Sequence, residues 1–129
     1  MIDILKEIHD RFIQNEVIVQ YCEGRIKFYK YPETADDAKP FIIISLLEPP
    51  REATYASDNA KVEYVSIQVD VEATDRMLVK EIQGQIKQIL KEMNVMQELG
   101  GLDEYFDETK RFVDSRRYSG FPYSLYDAF

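Results

Sequence analysis

The chain has 129 residues and a mass of 15.2 kDa, with 45% hydrophobic and 31% charged residues. This is the composition of one globular domain able to bury about two-thirds of its surface, and it excludes collagen-like, low-complexity and wholly disordered classes. Sixteen Lys and Arg stand against twenty-four Asp and Glu, giving a net charge of −8 and a pI near 4.7, so stable wrapping of nucleic acid is not expected.

The apolar runs fall short of the roughly 20 residues that cross a bilayer, so no membrane partner is expected. The N-terminus lacks a basic segment followed by an apolar core, so no secretory signal is expected. One cysteine, Cys22, excludes an internal disulfide framework and fits a reducing compartment.

Met1 to Gln14 carry Ile4, Leu5, Ile8 and Phe12 at helical spacing, and Asn15 can end that helix in a left-handed conformation. Val17 to Tyr21 are rich in β-branched residues and suit a short strand. Arg25 to Tyr31 (RIKFYKY) alternate, with Ile26, Phe28 and the Lys30 stem on one side. A polar loop follows to Pro40. Phe41 to Glu48 (FIIISLLE) form an apolar run that reads as a strand covered on both faces. Pro49 and Pro50 stop it, and residues 49 to 61 read as a long polar loop.

Val62 to Ala73 are a half-buried strand with Val65, Ile67, Val69 and Val71 in phase; a bulge near Tyr64 accounts for the slip of Val62 and Tyr64. Arg76 to Met93 form the strongest predicted helix. Leu78, Val79, Ile82, Ile86, Ile89, Leu90 and Met93 cover about 120° of the wheel, with Gln83 outside the stripe. Thr74 or Asp75 caps its start. Residues 95 to 99 suit a short strand, Gly100 and Gly101 a break, and Asp103 to Lys110 a helical turn. Arg111 to Tyr118 suit a final antiparallel strand. The expected fold is α+β: an antiparallel or mixed sheet of about four to five strands, two main helices packed on it, and one long interstrand loop. Residues 1–118 form the domain and 119–129 an aromatic C-terminal extension.

Phosphate-binding glycine motifs and the calcium-loop pattern are absent from the sequence. One histidine, His9, and one cysteine do not make a zinc site. His9 and Cys22 can formally pair as a nucleophile dyad, but a helix-flank histidine and a buried thiol are the simpler account. Asp36–Asp37 and Asp103–Glu104 are adjacent acids of the kind usually solvated in loops. The expectation is a protein without catalytic activity and without cofactors.

Three features suit assembly with other proteins. Glu98, Asp103, Glu104, Asp107 and Glu108 precede Lys110, Arg111, Arg116 and Arg117; the two groups either meet between copies or pair within one chain. Five of sixteen aromatics, Tyr118, Phe121, Tyr123, Tyr126 and Phe129, fall in the last twelve residues, so this end docks on its own domain or on a neighbour. The 49–61 loop carries Arg51, Glu52 and Tyr55 and either reaches a neighbour or stays free.

The order of elements is an N-terminal helix, a strand, FIIISLLE with PP and a polar loop, then VEYVSIQVDVEA. The helix EIQGQIKQILKEM and the acidic-then-basic DEYFDETKRFVDSRRY follow. Over roughly residues 1 to 118 this resembles the tail-terminator (tail-completion, head–tail joining) proteins of long-tailed bacteriophages with non-contractile tails. The segment after Tyr118 has no counterpart in that pattern.

The resemblance implies an α/β subunit made in the bacterial host cytoplasm and placed in the virion, at the head-proximal end of the tail. Its partners would be further copies in a hexameric ring, the tail tube protein and the head–tail connector, with DNA passing through unbound. Residues expected at such interfaces are Arg51, Tyr55, Glu104, Asp107, Arg116, Arg117, Phe121, Tyr123 and Tyr126. The alternative from another class is an acidic cytoplasmic inhibitor or immunity-type protein that covers a basic partner.

Overall fold

The computed structural model describes residues 2–32, 38–54 and 61–126. Three helices and six strands follow one another as α1 (Ile4–Phe12), α2 (Glu16–Cys22), β1 (Ile26–Phe28), β2 (Phe41–Leu46), β3 (Arg51–Thr54), β4 (Lys61–Ala73), α3 (Arg76–Glu92), β5 (Val95–Phe106) and β6 (Arg111–Gly120), with a 3-10 turn at Tyr123–Leu125. The α+β class is as expected. The mixed sheet has six strands rather than four to five, in the order β1-β2-β4-β6-β5 with β3 paired to the first part of β4. β1 and β2 are parallel and the other pairs antiparallel.

The N-terminal region departs from its prediction. Asn15 does not close α1 in a left-handed turn; it sits at φ −90° and opens α2, its side chain accepting the Ile18 amide at 3.0 Å. The strand expected over Val17 to Tyr21 is therefore helix. Ile18 and Cys22, four residues apart, both reach the core. A cap and two buried contacts outweigh the weak strand preference of valine and isoleucine.

The loop expected over 49–61 contains a strand. Arg51 to Thr54 pair antiparallel with Tyr64 to Lys61, while Tyr55 and the rest of that segment up to residue 60 lie outside the described residues. The change of phase between Val62 and Val65, both buried, falls where β4 exchanges β3 for β2 and β6 as partners.

Helix α3 lies across β4, β5 and β6 on the same side as α1 and α2. Asp75 caps it, accepting from the Met77 and Leu78 amides at 2.9 and 3.3 Å. Val79, Ile82, Ile86 and Leu90 are buried against Ile42, Ile44, Ile67, Val69 and Val71. Each such side chain contributes about 1.5–3 kcal/mol by leaving water.

The C-terminal third shows the largest difference. Asp103 to Lys110 are not a helical turn, and Gly100–Gly101 do not end a strand. β5 runs twelve residues through both glycines and returns as β6. Glu98, Leu99 and Gly100 stand opposite the single residue Arg117, a bulge with two extra residues. Gly101 has φ +120°, and a Cβ there would come within 2.3 Å of the Ser115 carbonyl oxygen, so only glycine fits.

Candidate functional site

The sheet has two unlike faces. One is closed by the helices. The other carries Ile43, Ser45, Gln68, Asp70, Glu72, Val113, Ser115 and Arg117, and no helix packs on it among the described residues. Its central strand β4 is polar at alternate positions because those side chains have no apolar layer to enter.

At one end of this open face Arg111 is 5% exposed, and its Nη2 donates to the carbonyls of Lys39 (3.1 Å) and Glu72 (3.3 Å). Its guanidinium lies 4.7 Å from the centre of the Phe41 ring, which stacks on Tyr31 at 3.8 Å. Arg111 Nε is buried without a hydrogen-bond partner, 3.8 Å from a Glu72 carboxylate oxygen. Burial raises the pKa of Glu72 above the ordinary glutamate range, Arg111 pulls it down, and Asp70 adds to the rise.

On the helix side a polar cluster ties the β5–β6 hairpin to α3. Lys80 Nζ lies 2.7 Å from Asp114 and 2.6 Å from Asp103. Arg116 grips both oxygens of Asp114, at 2.9 and 3.2 Å. The Asp114 side chain is 3% exposed. Burial works to lower the pKa of Lys80, but its hydrogen bonds to Asp103 and Asp114 outweigh that and raise it. The same contest, with Asp114 the decisive partner, raises that of Arg116.

Gln83, placed outside the apolar stripe by the helical wheel, is instead fully buried. Its Nε2 donates to the Val69 and Asp114 carbonyls at 2.8 and 3.0 Å, and its Oε1 accepts the Tyr118 hydroxyl at 2.7 Å. Every polar atom of that amide therefore has a partner across the β4–β6 seam. Burial pushes the Tyr118 phenol pKa far up, against the opposing pull of Arg116.

The remaining predicted interface residues separate into distinct places. Arg51 is exposed on β3, bonded to Glu48 at 3.1 Å and lying 4.5 Å over the Tyr64 ring. Tyr64 meets the edge of Phe121 at 5.4 Å and donates its hydroxyl to Glu98 at 3.3 Å. Ser119 also donates to Glu98. Arg51 and Phe121 are thus joined through Tyr64.

Arg116 and Arg117, adjacent in sequence, point to opposite faces. The first is spent on Asp114, whereas the second is exposed and lies over Gly100. Glu104 on β5 and Asp107 in the hairpin turn are exposed. The C-terminal segment docks on its own chain through Asn94 Nδ2 to the Phe121 carbonyl (2.9 Å), Ser124 Oγ to Glu7 (2.5 Å) and Leu125 against the core. Tyr123 and Tyr126 still expose 61% and 40% of their surface.

His9 meets Phe28 edge to face at 6.0 Å, and Cys22 is buried, its pKa pushed up to about 12 by burial against a weaker pull from Arg25. A thiol held neutral in this way is a poor nucleophile. Among the described residues there is no cluster of three metal-ligating side chains and no helix long and apolar enough to cross a membrane.

Among the described residues, the least covered strand is β5. Past Val95 every residue of the strand is exposed, including Met96, Leu99, Leu102, Tyr105 and Phe106. Its length was missed because the charges and the two glycines interrupt the apolar period. An isolated glycine inside a strand pattern signals a bulge, and that was the available clue.

No family model matches this sequence, and no curated protein matches it. Among solved structures, the chain is similar to a chain of the structure described as "Virion of native gene transfer agent (GTA) particle". The TM-score is 0.57 and the identity 8%, over 89% of this chain and 90% of that one. At that identity the likeness establishes a shared fold.

Proposed function

We propose that this chain is a structural component of a phage-type virion, and in particular a tail terminator: a subunit of a ring that caps the tail tube and meets the head connector. The observation that carries the proposal is the end-to-end likeness of the fold to a chain of a virion particle, covering nine-tenths of both. The order of elements that resembles the tail-terminator family points the same way. On this reading the protein works through surfaces and not through catalysis.

The mechanism is one of shape and charge. Subunits that contact head to tail close into a ring when the rotation between them is a whole fraction of a turn, and such a ring has two unlike faces. One face fits the last layer of the tube and ends its growth; the other receives the connector. A net charge of −8 per copy keeps the duplex from adhering as it passes.

The experiment is to disrupt the gene in the particle-producing genome that carries it and image the products. The expected result is tails of uncontrolled length, unattached to heads, restored by the gene in trans. Infectious particles with tails of normal length would overturn the proposal. A full-length particle with a free basic toxin as the captured partner would favour the inhibitor reading instead.

A further inference from the structure

β5 is an edge strand, and past its bulge, from Gly101 to Phe106, its outer side is open to pairing. Natural edges are commonly short, or carry lysine or proline. β5 has twelve residues, contains no Lys, Arg or Pro, and exposes Leu102, Tyr105 and Phe106 beside an open row of backbone groups. The opposite edge of the same sheet is β1. Arg25 O and Tyr29 N bond to β2, so by the alternation of a parallel ladder the amide and carbonyl of Ile26 and the amide of Phe28 face outward. Around them Lys27, Lys30, Phe28 and Tyr29 form a basic, apolar rim; Phe28 and Tyr29 are 38% and 58% exposed. Among the described residues Lys27, Lys30, Glu104 and Asp107 make no side-chain hydrogen bond or ion pair.

We propose that the β5 edge of one copy adds to the β1 edge of the next, so that the ring is held by one sheet running through the subunits. This rests on the ring reading above and names its contact. Three observations select a second copy's β1 as the occupant.

The first is charge. Glu104 of β5, exposed on the open face, meets a rim that carries Lys27, whereas β5 paired to another β5 would set acids against acids. The second is direction. β1 and β2 run one way, β4 the other, β6 back again and β5 opposite to β6. Rotation about an axis along the strands preserves direction, so β5 meets the neighbour's β1 antiparallel, the more stable pairing.

The third is level. The register runs from Lys27 through Ile43, Asp70 and Ser115 to Leu102. With copies meeting unslipped, Lys27 of one stands beside Leu102 of the other and diagonal to Glu104, all on the open face.

The test uses three forms of the full chain: native, K27E, and E104K. Each is checked for native circular dichroism and imaged by electron microscopy with and without purified tail tubes. The native chain is expected to form rings, each variant alone to lose them, and an equal mixture of the two variants to regain them as alternating rings, since every contact then joins opposite charges. On assembly of the native chain the outward amides within Gly101 to Asp103 and those of Ile26 and Phe28 should become protected from hydrogen exchange.

Rings from either variant alone, no recovery on mixing, or native rings without that protection would each overturn the edge contact and leave the ring reading standing. Absence of native rings under both conditions would overturn both. Should either variant misfold, the exchange measurement on the native chain decides alone.

Discussion

The two sides of this molecule solve opposite problems with the same strands. Around α3, the sheet is sealed: Ile82, Ile86 and Leu90 fill the space above β4 and β6, and the buried amide of Gln83 has both its donors and its acceptor engaged. Along β5, a strand paired on one side alone leaves its other edge open and five large apolar side chains exposed. A lone chain gains nothing from that exposure, whereas a chain that is completed by another gains the pairing and the burial together. The contrast teaches where stability and assembly are written: in the helix-covered half and in the hairpin, respectively.

Substitutions can break this division, beginning with the ion cluster at its boundary. Asp114→Ala should be the most damaging, because Lys80 and Arg116 lose the 3% exposed carboxylate between them. Breaking a buried pair by removing one partner costs about 3–5 kcal/mol, and partial exposure of the two cations places this case at the lower end. Ile86→Ala comes next, with a loss of about 2–5 kcal/mol from an emptied, fully buried site. Leu99→Ala, at 96% exposure on the bulge, should change stability by no more than about 0.5 kcal/mol. Urea unfolding of the three variants measures all of these; equal losses at Ile86 and Leu99 would erase the distinction between the two regions.

Gln83→Leu is a milder test of the sealed side. It leaves the buried Tyr118 hydroxyl without its 2.7 Å acceptor, at about 1–3 kcal/mol. Adding Tyr118→Phe removes the orphaned group, so the double variant should recover part of the loss. A double variant whose loss equals the sum of the two single ones would show that the bond carries no coupling.

What the sequence disclosed follows the same border. β4 and α3 each bury a regular stripe, so the period of their residues is the period of their structure, and both were legible. α2 was not, because its strand-favouring valines are overruled by the Asn15 cap and by burial of Ile18 and Cys22. Gln83 was hidden because a wheel sorts by polarity, while its burial depends on carbonyls of β4 and β6 that are distant in sequence.

The hairpin was the hardest to read. Only Val95 of β5 is buried, so no alternation marks the strand, and its pairing with β6 supplies what its own residues do not declare. Of the interface residues expected from sequence, Glu104 and Asp107 come together on that hairpin and Arg51 and Phe121 meet at Tyr64. Arg116 is held inside its own chain.

The smallest expected effect lies on the open face and concerns pH. Glu72 sits against Arg111, yet burial dominates and raises its folded pKa above the unfolded value near 4.5. Between those two values the folded chain binds the proton that the unfolded chain has released, so stability falls as pH rises through this window. The contribution is full below the unfolded pKa and gone above the folded one. Glu72→Gln removes the titration while keeping an acceptor near Arg111. The variant should therefore show a flatter stability profile above pH 4.5 and stand slightly above the native chain at pH 7. A native profile that instead rises through this window and a destabilised variant would mean that Arg111, and not burial, governs the carboxylate. The open face would then be held by an ion pair, as the helix side is at Asp114.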